Sequence, residues 1–303
     1  MESVADCAAA QLADAFRTGE LSPVDALRAV LERIDACEPL INAMYLVHRD
    51  AALAAARDAE ARWRAGRPLS AIDGVPVTLK ENLYTKGDPA PLGTAASGLA
   101  PRPADAPPSA RVREAGCVIV GKTTMPDFGM LSSGLSSIHG VTRNPWRLDR
   151  NTSGSSSGAA AAAAAGYGPL HVGTDIGGSV RLPATHCGLF ALKPSLGRVP
   201  IDPPYMGRIA GPMTRTVRDA ALLMDVLARP DERDFMSLPY QPTDYAARLD
   251  GLDAKRLRIG VLIDMGTGLP PHPAVVAACE AAARALEASG AVVEPMRSFL
   301  TPE

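Results

Sequence analysis

A run of seven consecutive alanines, Ala159–Ala165, constrains this chain more than any other feature. Alanine is the strongest helix former, so the run reads as a helix. It has no polar face, and a helix that is apolar all round is buried. With only methyl groups outside its backbone, it must pack tightly against its neighbours. Directly before it lies NTSGSSSG, residues 151–158. Polar Gly/Ser loops are commonly solvated linkers, but a linker rarely leads straight into such a helix. Hydroxyls and flexible backbone at a helix start can instead bind an anion or relay a proton.

The rest of the chain supplies elements to surround that helix. Ala5–Phe16 has helical periodicity, and residues 50–65 form another helix, rich in Ala and Arg. Between them, Ser22-Pro23-Val24-Asp25 reads as a helix start, with Ser22 as N-cap, Pro23 in the first position and Asp25 closing a capping box. Val24, Leu27, Val30, Leu31 and Ile34 then line one face. Residues 74–80 change to a β-type run, 85–108 read as an irregular loop, and a short helix at 109–115 leads into a buried strand at 117–120. Further strands are predicted at 170–173 and 189–192, and Thr216 caps a helix running through Leu227. The tail reads as strand 258–263, helix 273–288 and strand 291–293. Strands alternating with helices predict an α/β fold with a largely parallel sheet, in one domain.

Composition removes several function classes. Net charge is −2 and aromatics are 4%, which argues against a nucleic-acid surface. Cys7, Cys37, Cys117, Cys187 and Cys279 form no CxxC pair, as expected for reduced thiols in a cytoplasmic protein. His48, His139, His171, His186 and His272 show no HxH or HxxxH spacing, so no metal site is expected. The N-terminus, with Glu2 and Asp6, lacks the basic region of a signal peptide, and no apolar run reaches membrane length.

Gly116–Thr123 matches the phosphate-loop pattern GxxxxGK(S/T), but mechanism argues against it. A phosphate loop wraps between a strand and a helix. Here the intervening residues, Cys117-Val118-Ile119-Val120, are themselves the strand, and Pro126 interrupts a following helix. Lys122 reads more simply as a polar residue at a strand end.

Two other stretches carry chemistry. Lys80 ends the apolar run VPVTL, and desolvation there can leave a neutral amine able to take a proton. Asp175-Ile176-Gly177-Gly178-Ser179-Val180-Arg181 places two glycines before a serine. Such a backbone can turn sharply and point successive N–H groups at one spot, where an oxyanion would form beside Ser179. Asp175 and Arg181 bracket the loop and can hold it by a charge-assisted contact. A histidine base would have to be His171 or His186, which no motif places; a Ser-Lys system needs none.

Taken together, residues 74–220 resemble the amidase signature family of serine hydrolases. GVPVTLKEN is similar to its lysine motif, NPWRLDRNTSGSSSGAAAAAAAG to its Gly/Ser motif, and GTDIGGSVRLPATHCGLFALKPSLGRVP to its nucleophile motif. CVIVGKTTMPDFG and GPMTRTVRDAALL fit the neighbouring segments. The resemblance implies an α/β/α sandwich around a large mixed, mostly parallel twisted sheet. It divides residues 1–303 into an N-terminal helical part (1–70), a catalytic core (74–220) and the start of a C-terminal part (221–303). It also implies a Ser–cisSer–Lys triad, with Ser179 as nucleophile, Ser155 as the bridging serine beside a cis peptide, and Lys80 as the base. The backbone of Ile176, Gly177, Gly178 and Ser179 would form the oxyanion hole. Gly129 and Ser155 would contact substrate, while Thr174, Asp175, Arg181 and Ser156 would support the site. No metal or organic cofactor is implied.

Some residues depart from the family pattern. Ser153 and Ser157 stand where glycine is usual, Glu81 where Asp is usual, and Ser195 where Thr is usual. Family chains also continue well past residue 303, so a truncated form with an incomplete pocket is expected. The expected function is hydrolysis of a small carboxamide, with specificity set by residues 85–108, 129–137 and 202–210. The alternatives are the glutaminase (A) subunit of a tRNA-dependent amidotransferase, acting with partner subunits, and an inactive truncated paralogue with a binding role. GTDIGGSVR leans away from the usual sequence of that subunit, GSDTGGSIR. Expected partners are thus a small amide and, depending on the reading, a second copy or amidotransferase subunits, with no nucleic acid and no membrane.

Overall fold

The computed structural model describes residues 3–266 and 268–298. The chain forms two compact units, Met1–Ala246 and Ala247–Glu303. The first opens with α1 (Ala9–Thr18), α2 (Pro23–Ile41), β1 (Met44–Val47), α3 (Arg49–Arg64), β2 (Pro76–Lys80), α4 (Pro107–Glu114) and β3 (Val118–Thr123). Two small ribbons follow, β4 (Leu135–Ser136) with β5 (Gly140–Val141), and β6 (Arg143–Asn144) with β7 (Arg147–Asn151). Then come α5 (Ser157–Ala165), β8 (Leu170–Asp175), α6 (Arg181–Cys187), β9 (Phe190–Ala191), β10 (Ile209–Thr214) and α7 (Val217–Leu227), and the boundary between the units falls within α8 (Tyr245–Leu249).

Six strands make one mixed sheet in the order β1-β3-β2-β8-β10-β9. β2 runs parallel to both β3 and β8, while β1, β10 and β9 join antiparallel. The mixed sheet is as expected, but its parallel part is confined to the centre. The reason lies in β10, where Gly211-Pro212 carries no strand signal. Proline is tolerated there because of direction. The Pro212 carbonyl faces away from β8 and accepts from Leu192 N–H at 3.2 Å, so the missing N–H removes no bond to β8.

Strand alternation splits the core between the two faces of the sheet. Val77, Leu79, Leu170 and Val172 pack with Leu12, Phe16, Val112, Leu223 and Leu227 of α1, α4 and α7. Val118 and Val120 pack on the other side with Leu27, Val30 and Ile34 of α2, Ala52 and Ala56 of α3, and Ala161 and Ala162 of α5. The alanine helix is buried as its sequence requires, with no exposure from Ala159 to Ala163. Its neighbours are close: a methyl group added at Gly158 would lie 2.3 Å from the Ala43 carbonyl.

Helix starts follow the capping pattern. The Ser22 hydroxyl accepts from Asp25 N–H at 3.1 Å. Asp25 answers differently from a capping box, accepting from the Ser22 hydroxyl at 2.8 Å instead of the Ser22 N–H. Thr216 accepts from Asp219 N–H at 3.1 Å. The second unit pairs β11 (Arg258–Val261) with β12 (Val292–Pro295) in parallel, connected through α9 (Pro273–Ala288). Among the described residues no helix is long and apolar enough to cross a membrane.

Candidate active site

β2 and β8 are adjacent and parallel, with Val77 opposite Leu170 and Leu79 opposite Val172. Their C-terminal ends therefore lie side by side, where open α/β sheets collect their sites. Lys80 ends β2 and Asp175 ends β8. The Ser153–Ser156 loop enters above them. Lys80 Nζ lies 2.8 Å from Ser155 Oγ, 3.0 Å from Ser156 Oγ and 3.0 Å from Thr174 Oγ1. Its side chain is fully buried, and burial is the main force lowering its pKa, to about 7. The Arg208 charge adds to that fall, while Asp175 and Glu81 oppose it.

Hydrogen-bond accounting singles out one of the three hydroxyls. Ser156 donates to the Thr174 carbonyl at 3.2 Å, and Thr174 Oγ1 reaches Asn82 Oδ1 at 3.4 Å. Ser155 has no such acceptor among the described residues. A neutral amine has one lone pair and two N–H groups. It can donate to Ser156 and Thr174 while accepting the Ser155 proton.

Ser155 and Ser179 both line a cleft of about 560 Å³. The Gly154–Ser155 peptide is cis. Ser156 N–H donates to the Ser179 carbonyl at 3.1 Å, which ties the two serine loops together. Gly129 lies against Ser155, since a methyl group at Gly129 would be 3.2 Å from Ser155 Oγ. Ser153 in this loop and Ser157 at the start of α5 are both buried, and Ser153 adopts φ +61°.

Asp175 organises the loop that carries Ser179. Its carboxylate accepts from Gly178 N–H at 2.8 Å, Val180 N–H at 3.0 Å, and Arg181 Nε and Nη2 at 3.0 and 2.9 Å. Burial pushes this carboxyl up, but Arg181 and the N–H donors outweigh it and bring the pKa to about 2. Asp175 is therefore charged and fixed. Gly178 N–H, one of the four groups expected at the oxyanion hole, thus donates to Asp175 in this structure. The N–H groups of Ile176, Gly177 and Ser179 have no partner among the described residues.

The histidines lie elsewhere. His171 is buried between Thr78 Oγ1 at 2.7 Å and the Gly168 carbonyl at 3.0 Å, and burial lowers its pKa to about 3. His186 is exposed on α6. Glu81 is buried, accepts from Gly93 N–H at 2.8 Å and meets His139 Nε2 at 2.6 Å. Ser195 is exposed. Asn82, Tyr205 and Arg208 also line the cleft and escaped the reading of single residues. Asn82 sits two positions after Lys80, and Arg208 lies in a stretch marked only as a specificity loop. Among the described residues there is no group of three or more His, Cys, Asp or Glu suited to hold a metal ion.

The Amidase family model matches residues 25–301. The glutamyl-tRNA(Gln) amidotransferase A-subunit of Chloroflexus aggregans is 42% identical over 256 residues, covering 82% of this chain and 51% of that protein. An acylamidase of Rhodococcus erythropolis is 36% identical over 289 residues, covering 94% of this chain and 60% of that one. The native peptide amidase of Stenotrophomonas maltophilia superposes with a TM-score of 0.87 at 33% identity, over 96% of this chain and 62% of that chain. The chain thus spans about half the length of the amidotransferase protein it matches.

Proposed function

The chain belongs to the amidase signature family, and on that premise we propose that it hydrolyses a carboxamide through an acyl-enzyme on Ser179. The observation that carries this reading is the contact of 2.8 Å between a buried Lys80 amine and Ser155 Oγ, in a cleft shared with Ser179. Neutral Lys80 takes the Ser155 proton as Ser155 takes that of Ser179. Ser179 Oγ attacks the amide carbon. The developing oxyanion meets the N–H groups of Ile176, Gly177 and Ser179. The proton returns through Ser155 to the departing nitrogen, releasing ammonia or an amine. Water, activated by the same relay, then frees the carboxylate. Thr174, Ser156 and Asn82 orient Lys80, and Asp175 with Arg181 holds the loop. Residues 74–220 carry these parts.

A fluorophosphonate probe tests the reading. Labelling should map to Ser179 and disappear in Ser179→Ala. Absence of labelling in folded protein would favour a binding protein with a dead site.

A second reading has its own support in the 42% identity to an amidotransferase component. Under it the substrate is glutamine and partner subunits complete the assembly. Glutamine hydrolysis that appears only with such partners selects it; hydrolysis of simple amides by the chain alone selects the stand-alone amidase.

A further inference from the structure

Arg208 lines the cleft without an ion-pair partner among the described residues. It directly precedes β10, and Ile209 pairs with Asp175, so Arg208 comes alongside Ile176 at the start of the nucleophile loop. A methyl group at the preceding Gly207 would lie 3.8 Å from Ile176 Cγ2, which fixes how close the two segments run. The guanidinium Nη2 donates to the Pro203 carbonyl, and its carbon stands 5.7 Å from the Tyr205 ring centre. Nε is buried and has no hydrogen-bond partner. Among the described residues no carboxylate stands within ion-pair distance of Arg208, although the charges of Asp202 and Asp234 are felt there. The other ion lining the cleft, Asp175, is already filled by Arg181 and backbone N–H groups. The opposite character is also present: Phe128, Met130, Leu131, Ile176 and Tyr205 line the same cleft and are exposed.

We propose that the cleft takes an amide that also carries a carboxylate, held by Arg208 while the apolar wall covers the rest of the substrate. This rests on the acyl-enzyme reading above. A planar guanidinium with free donors matches a carboxylate in geometry and charge. Burial next to apolar side chains strengthens that pairing relative to water. Arg208 retains its charge throughout the range in which Lys80 titrates, because guanidinium deprotonates only at extreme pH.

The test compares anilides by release of the arylamine, aniline or, from 4-acetamidobenzoate, 4-aminobenzoate. Succinanilic acid carries a carboxylate on the acyl side; 4-oxopentananilide replaces it with a methyl ketone. On the amine side, 4-acetamidobenzoate is set against acetanilide. At least one acid should exceed its neutral counterpart in kcat/KM by about tenfold or more, a margin typical of one charge-assisted bond. That ratio should collapse in Arg208→Gln and be partly kept in Arg208→Lys, with most of the change in KM. Using the ratio cancels any effect of Arg208 on Lys80, which acts on both compounds alike. If wild type prefers neither acid, the proposal falls without any variant being needed. If the preference survives in Arg208→Gln, it falls as well. Should none of the anilides turn over, the same four compounds are tested as protectants against fluorophosphonate labelling of Ser179, with the same ratios read. Failure of labelling itself would sink the hydrolase reading, which separates the two outcomes.

Discussion

Lys80 and Lys122 are near twins on adjacent parallel strands. Both are buried, and burial is the largest influence bringing each to about pH 7. Register separates them. Lys122 lies opposite Leu79, while Lys80 lies opposite Thr123, so the two side chains leave the sheet on opposite faces. Lys80 enters a ring of hydroxyls beside a cleft. Lys122 donates to the Leu83 carbonyl and feels Asp88, Glu81 and Asp105. Burial and a low pKa thus make an amine neutral without giving it a task. The task comes from a proton donor within reach and a space for substrate beyond it.

Deleting each amine in turn should separate the two lysines by the largest margin. Ser179→Ala should remove turnover altogether. Lys80→Met should lower kcat/KM by roughly 10²–10⁴, the usual worth of a positioned base. Lys122→Met should leave it within a few-fold. Equal losses from the two lysine variants, with circular dichroism unchanged, would show that the hydroxyl ring is not what distinguishes them.

Changing pH should separate the two lysines in activity but not in stability. The rise of kcat/KM on the acid side should report an apparent pKa near 7, because only neutral Lys80 accepts the proton; Lys122→Met should leave that limb in place. Stability should treat the lysines alike. Each folded pKa of about 7 lies below the unfolded value of about 10.4. Between those values the unfolded chain holds the extra proton, so stability rises with pH by about 1.4 kcal/mol per unit for each lysine. Below pH 7 the cost of the buried charge is fully present. Replacing either lysine by methionine should remove its share of the slope in urea titrations run from pH 7 to 9. A limb that moves in Lys122→Met would refute the assignment.

Much of this was legible because it is local. Ser22 and Thr216 cap their helices through residues three positions away, and the alanine run declares its own burial. Lys80, Ser155 and Ser179 each stood in a recognisable stretch. What the chain could not announce was pairing over distance. β10 was hidden by Gly211-Pro212, and with it the placement of Arg208 against Ile176. The Gly178 N–H is a related case: its partner depends on Asp175 curling back over its own loop, which spacing alone does not show. Lys122 read as a strand-end polar group, because nothing nearby in sequence reveals that Leu83 closes over it.

Two backbone positions near Ser155, Gly129 and Ser153, give smaller effects. Gly129 has φ +69° and faces Ser155 Oγ, so Gly129→Ala forces both strain and contact. It should cost about 1–2 kcal/mol in stability and lower kcat/KM by about 10²-fold, by shifting the relay. Ser153 shows the same conformation without the contact problem. At φ +61° a serine occupies the region that glycine enters freely. Its N–H is held by the Asn151 side chain, a bond that Ser153→Gly would keep because it involves only backbone at residue 153. Relief of the left-handed conformation is opposed by the greater freedom of glycine in the unfolded chain. The balance should be a gain of about 0.5 kcal/mol, read as a slightly higher urea midpoint at unchanged slope, with kcat/KM within about twofold. A loss of stability would instead mean that the buried Ser153 hydroxyl contributes more than its backbone costs. The preference for glycine at this point of the family motif would then need an explanation other than φ.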